Sequence, residues 1–170
     1  MGATDIIIRK ANPADAGSIA ELVRRLAQAT GETDKVKSCA DDFLRFGFST
    51  PPAFIALLAE RDGSAVGLSL WFYDFSSWRG ELGVYLQDLY VDDDLRGSGL
   101  GRRLLAATAA AAIADGATHL RLSVAADNAA ARRFYQHLGF THRDDERTYQ
   151  VSDEAFTSLA TDHNQQEAVQ

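Results

Sequence analysis

The chain of 170 residues has one cysteine and three prolines. The lone thiol, Cys39, excludes a disulfide within the chain and a cysteine-rich metal site. It reads as a small, partly buried side chain, since nothing near it in sequence looks like a catalytic base. Histidines are also few, and their spacing matches no metal motif, so no metal is expected. Basic residues are outnumbered, 17 against 24 acidic, for a net charge of −7. That balance argues against a nucleic-acid partner, which calls for a basic face. No apolar run nears the roughly 18 residues of a membrane span. The start, Met1-Gly-Ala-Thr-Asp5, has neither the basic nor the apolar region of a signal peptide. A soluble cytoplasmic protein is expected.

What remains is ordinary globular material with clear punctuation. Ile6-Ile-Ile-Arg9 reads as a strand, and Asn12-Pro-Ala-Asp15 as a helix start with Asn12 as cap and Pro13 at the first helical position. Ile19, Leu22, Val23 and Leu26 keep helical spacing up to Thr30-Gly31. A second helix is predicted over about 39–47. Three strands follow, Phe54–Glu60, Ala65–Tyr73 and Leu82–Val91. Then come a helix from Gly99 to Asp115, a strand His119–Val124 and a helix Asn128–Leu138. Two last strands are predicted, one from Phe140 and one near Arg147–Val151. The order βααβββαβαββ implies an α+β domain with a mixed, mostly antiparallel sheet flanked by helices. It spans 1–160, with a polar tail over 161–170.

Two segments carry the functional signal. Tyr85-Leu-Gln-Asp-Leu-Tyr-Val91 has strand character and leads into Arg96-Gly-Ser-Gly-Leu-Gly101, which opens a long alanine-rich helix. Glycines let backbone N–H groups approach a ligand, and a helix start adds unpaired donors and the positive end of its dipole. Together they make a phosphate site. A P-loop is excluded because no Lys-Ser/Thr follows Gly101. The dinucleotide fingerprint fails at its third glycine, where Arg102 stands.

Arg96, Gly99 and Gly101 instead fill an Arg/Gln-x-x-Gly-x-Gly/Ala pattern, and Asn128-Ala-Ala-Ala-Arg-Arg-Phe-Tyr-Gln-His-Leu-Gly-Phe140 follows downstream. Both segments and the element order resemble the GCN5-related N-acetyltransferases, and nearest its diamine and polyamine branch. That resemblance implies acetyl-CoA as cosubstrate and direct transfer to a primary amine of a small molecule. Acetylation of a protein lysine or N-terminus, and a catalytically silent CoA-binding module, are the alternatives. It implies that Gly97, Ser98, Gly99, Leu100, Gly101 and Arg102 hold the pyrophosphate, with Arg96 adding charge. It implies that Leu89, Tyr90 and Val91 pair their backbone with the pantetheine arm, and that Asn128 contacts the same arm. Tyr135 would be the general acid for the departing thiolate. Gln87, Asp88, Trp78 and Tyr85 would bind the acceptor. The branch has a carboxylate where this chain has Gln87, and glutamine cannot be a base. By simple alternation Gln87 and Asp88 face opposite sides of the strand; a bulge would bring them together. A homodimer is implied by the resemblance, and neither a nucleic-acid nor a membrane partner is expected.

Overall fold

The computed structural model describes residues 5–145 and 147–159. They fall into two compact units, one up to Ala129 and one from Ala130. The first unit holds a five-stranded sheet in sequential order. Its strands are β1 (Ile7–Lys10), β2 (Ile55–Arg61), β3 (Ser64–Ser76), β4 (Glu81–Val91) and β5 (His119–Leu122). The first four pair antiparallel and β4–β5 is parallel. The mixed, mostly antiparallel α+β architecture is the one expected.

Helix α1 (Ala16–Thr30) is entered through a 3-10 turn over Pro13–Asp15. Asn12 caps that turn, its side chain accepting from the Ala14 N–H at 2.9 Å, while Asp15 accepts from the Asn12 N–H at 2.7 Å. The helix ends on Gly31, whose φ of +73° suits a residue without Cβ. Helix α2 (Ala40–Gly47) follows. Cys39, at its start, is exposed rather than partly buried, because it caps the helix at the surface, where its N–H donates to Asp42 at 2.9 Å. Helix α3 (Leu100–Ala114) crosses from β4 to β5.

The two faces of the sheet have different covers. Paired residues on neighbouring strands share a face. On one face Leu68, Leu70 and Tyr90 pack with Ile19 and Leu22 of α1 and Phe43 of α2. On the other, Ser69 reaches α3 through a buried hydroxyl pair with Thr108 at 2.6 Å. Fully burying each such aliphatic side chain is worth about 1.5–3 kcal/mol. A second tie crosses β1, β2 and the start of α1. The Arg9 guanidinium donates to Asp15 at 2.7 and 2.8 Å and to Glu60 at 2.9 and 2.6 Å.

The second unit contains most of α4 (Ala129–His137), closed by Gly139 at φ +90°. Here the structure corrects one expectation. The described residues of 140–151 form no strand, and 153–159 are helical. The reason lies in His142-Arg-Asp-Asp-Glu-Arg147, an unbroken ionisable run with no apolar alternation to hold a strand on a core. The tail expected over 161–170 lies outside the described residues. Among those described, no helix is long and apolar enough to cross a membrane.

Candidate active site

Strand β4 carries the decisive irregularity. Leu70 of β3 pairs with Asp88, but the next residue, Trp71, pairs with Leu86. Gln87 is therefore an extra residue, a β-bulge. Leu86 shares the α3-side face with Trp71, so Gln87 turns to the opposite face. Asp88 shares that same face, because it pairs with Leu70. The bulge thus presents an amide and a carboxylate side by side on the α1 side of the sheet. Simple alternation would have separated them.

Gln87 is exposed and Asp88 half-buried. No side-chain hydrogen bond or ion pair is found for Asp88 among the described residues. Burial alone raises its carboxyl from the ordinary 3.8 to about 6. A carboxylate desolvated without a compensating cation is costly to fold and suited to taking a proton near neutral pH.

The bulge also marks where β4 leaves its other neighbour. Pairing with β5 runs from Gly83–His119 to Leu86–Leu122 and stops. Along Gln87–Val91 no strand pairs with the β5-side edge of β4 among the described residues, and the Val91 carbonyl accepts from the Arg96 Nε at 3.4 Å. Leu89, Tyr90 and Val91 lie on this edge; Tyr90 is buried and the other two are half-buried. Asp92, just beyond, is fixed to α1 by Arg25 at 3.1 Å, which Glu21 holds in turn at 2.9 Å.

From Asp92 a short turn leads to the glycine loop. Gly97 and Gly99 sit at φ +79° and +87°, and a Cβ on either would meet no atom within 4 Å. Space over the loop is open, and left-handed backbone is what the glycines supply. Arg103 N–H donates to the Gly99 carbonyl at 3.0 Å, the first intrahelical bond of α3. The N–H groups of Gly97, Gly99, Gly101 and Arg102 have no partner among the described residues. Ser98 turns its hydroxyl inward to the Leu95 carbonyl at 2.6 Å, and the Leu100 N–H approaches that hydroxyl at 3.4 Å. Leu100 itself is buried. Arg96 is paired to Asp93 at 2.7 Å, whereas Arg102 is exposed. Four outward donors at a helix start, beside a free strand edge, fit a pyrophosphate followed by an amide-bearing arm.

Four expected residues remain. Tyr85 lies on the same face as Gln87 and Asp88, stacked on Phe72 with ring centroids 5.2 Å apart, and donates to Ser123 at 2.8 Å. Trp78 is 98% exposed in the β3–β4 turn. Six residue steps along β4 take Glu81 to Gln87, roughly 20 Å, and Trp78 lies in the turn before Glu81. Asn128 immediately precedes α4. Tyr135 lies on α4 in the second unit, half-buried, with edge-on ring contacts to Phe134 at 5.1 Å and Phe140 at 5.4 Å.

Residues 20–140 match the acetyltransferase (GNAT) family. The chain belongs to that family. It is an N-acetyltransferase, since the family match is joined by curated acetyltransferases that align along nearly their whole length. Thialysine N-epsilon-acetyltransferase of Bos taurus is 31% identical over 166 residues, covering 91% of this chain and 97% of that one. The Mus musculus protein of the same name is 32% identical over 164 residues, covering 90% and 96%. Spermidine/spermine N(1)-acetyltransferase-like protein 1 of Homo sapiens is 30% identical over 139 residues, 78% of this chain and 20% of that one. These relatives bear out the likeness to the polyamine branch. Among solved structures, an integron cassette protein from the V. cholerae mobile metagenome superposes with a TM-score of 0.77 at 20% identity, covering 94% and 99%. A soil-metagenome aminoglycoside acetyltransferase gives 0.74 at 15% identity, covering 88% and 97%. Both share the GNAT fold.

Sequence reading missed Phe72, Asp74 and Arg121, which lie on the bulge-side face next to Tyr85. The signal was present for the first two: Leu68, Leu70, Phe72 and Asp74 keep period two along β3.

Proposed function

We propose that this acetyltransferase moves the acetyl group of acetyl-CoA directly to a primary amine of a small molecule: a diamine, a polyamine or an amino-acid side chain. The observation that carries the reading is the Gln87–Asp88 bulge at the point where the β4 edge becomes free. The relatives named for thialysine and for spermidine/spermine support the small-amine class.

The loop N–H groups of Gly97, Gly99, Gly101 and Arg102 hold the pyrophosphate, with the positive end of α3 behind them and Arg96 and Arg102 adding charge. Leu89, Tyr90 and Val91 offer their backbone to the pantetheine arm, and Asn128 assists. When bound, acetyl-CoA supplies an acetyl thioester, whose C–S bond breaks as the amine nitrogen forms the new C–N bond. An N–H near Leu89 stabilises the carbonyl oxygen. Asp88 accepts the amine proton, directly or through a water, at a carboxyl pushed up to about 6. Gln87 orients the amine through its carbonyl oxygen. Tyr135 gives its phenolic proton to the thiolate, a role that rests on the Phe134-Tyr135 motif. Tyr85 shapes the acceptor side.

The two units act as one domain over 1–160, a reading supported by a family match that runs through Ala129. The reading includes a homodimer, supported by large apolar side chains left open to solvent, Trp78 at 98% and Phe75 at 64% exposed. A cytoplasmic setting suits the single unpaired cysteine.

The test is CoA release across polyamines, diamines, basic amino acids and lysine peptides. Saturable turnover with small amines is expected. Turnover with peptides alone would refute the small-molecule reading, and tight acetyl-CoA binding without turnover would refute catalysis.

A further inference from the structure

Helices α1 and α2 cover only part of their face of the sheet. The core beneath them ends at Leu70 and Tyr90. Beyond the bulge the same face continues with Phe72 and Asp74 of β3, Tyr85 of β4 and Arg121 of β5, and none of these is buried. The register places them together: Phe72 pairs with Tyr85, and Tyr85 with Arg121.

Within this group Arg121 is held but not used up. Its Nε bonds Asp74 at 2.5 Å, and its guanidinium lies 5.7 Å from the Tyr85 ring centroid. Tyr85 is itself fixed by Phe72 and Ser123. The two terminal nitrogens of Arg121 have no partner among the described residues, and the side chain is 58% exposed. A guanidinium steadied through Nε, with its far edge open, is arranged to receive a carboxylate by two parallel bonds. Asp88, on the same face, lies three residues further along β4 than Tyr85, the strand partner of Arg121. Their backbones are therefore roughly 10 Å apart along and across the strands. The platform has a carboxyl at the bulge, an aromatic floor between, and at the far end the Arg121–Asp74 ion pair with one edge of the guanidinium open.

We propose that this platform selects an acceptor with an amine at one end and a carboxylate several bonds away, an ω-amino amino acid, and that Arg121 is the residue that binds the carboxylate. The proposal rests on the small-amine reading above and narrows it. A polyamine has no anionic group for the open edge of Arg121, whose own partner Asp74 already occupies its Nε.

Lysine and 1,5-diaminopentane differ by one carboxylate and make the test. The wild-type enzyme should turn over lysine with at least a tenfold higher kcat/KM and acetylate the ω-nitrogen. Arg121→Gln should lower kcat/KM for lysine by about 10–100-fold and leave 1,5-diaminopentane within about twofold; Arg121→Lys should restore part of the loss. Equal use of both amines by the wild type, acetylation at the α-nitrogen, or an equal drop for both amines in Arg121→Gln would overturn the assignment. The wild-type comparison needs no variant, so it decides even if Arg121→Gln fails to fold. Turnover with neither amine, nor with any other small amine, would instead overturn the small-amine reading and this inference with it.

Discussion

Replacing Asp88 by asparagine removes the charge that burial disfavours and keeps the shape of the side chain. In the folded protein the carboxyl is raised from 3.8 to about 6, with desolvation as the cause. By proton linkage that rise is worth at most about 3 kcal/mol against folding at neutral pH. The sign follows from proton counts. Between the two values the folded state binds the proton and the unfolded state does not, so stability rises as pH falls from 6 toward 3.8. Above 6 the full penalty is present. Asp88→Asn should therefore be more stable than wild type at pH 7.5 in urea unfolding, and its advantage should shrink steadily toward pH 4. Turnover should move the other way. Losing a general base costs about 10²–10⁴-fold. The wild-type profile of kcat/KM should fall on its acid side near pH 6, and the variant should lack that limb. A gain in stability joined to a loss of rate is what a site held against folding produces. An asparagine variant that is less stable at every pH and keeps its turnover would refute the reasoning, because Asp88 would then be a structural hydrogen-bonding group.

Tyr135→Phe should cut kcat by about 10²-fold or more with little change in acetyl-CoA affinity measured by calorimetry; unchanged turnover would remove it as the acid. Gly99→Ala forces a Cβ into backbone at φ +87° with open space around it, so the cost is conformational, about 1–2 kcal/mol, read as a lower denaturation midpoint together with weaker acetyl-CoA binding. Gly83→Ala would put a Cβ 2.3 Å from the His119 ring, displacing it and costing about 1–3 kcal/mol. The double variant with His119→Ala should recover most of that loss. Asp15 is held below the usual carboxylate range by its hydrogen bonds from Arg9, so its stabilising contribution is present above pH 3.8 and lost as pH falls through its lowered value. Asp15→Asn should lower stability at pH 7 and flatten the acid limb of the unfolding curve.

Much of this fold is written in local chemistry. Asn12 and Pro13 announce α1, Gly31 ends it, and the glycines of 97–101 mark a loop whose backbone only glycine adopts easily. Those signals are short-range, so they survive reading in one dimension. The two strands expected from Phe140 and near Arg147–Val151 do not form among the described residues, because the charged run His142–Arg147 gives them no apolar face. The bulge at Gln87 is of another kind. Tyr85-Leu-Gln-Asp-Leu-Tyr-Val91 contains neither glycine nor proline to mark an irregularity. It exists because β3 and β4 pair on both sides of it in registers that differ by one residue. A property of two strands together cannot be read from one of them.

The same reasoning explains why the candidate site sits where it does. On the α1 side, β3 and β4 run continuously from Leu68 and Tyr90, which are buried under helices, to Asp74 and Tyr85, which are not buried. Gln87 and Asp88 lie at the boundary. Toward the covered half, burial strips water from Asp88 and raises its carboxyl; toward the open half, an acceptor can reach it. Moved two residues toward Tyr90, the carboxylate would be sealed under α1. Moved three residues to the position of Tyr85, it would stand beside Arg121, whose charge would favour the ionised form and lower its pKa. A base poised near pH 6 therefore needs this boundary, and the bulge sets its side chain there beside the free edge of β4.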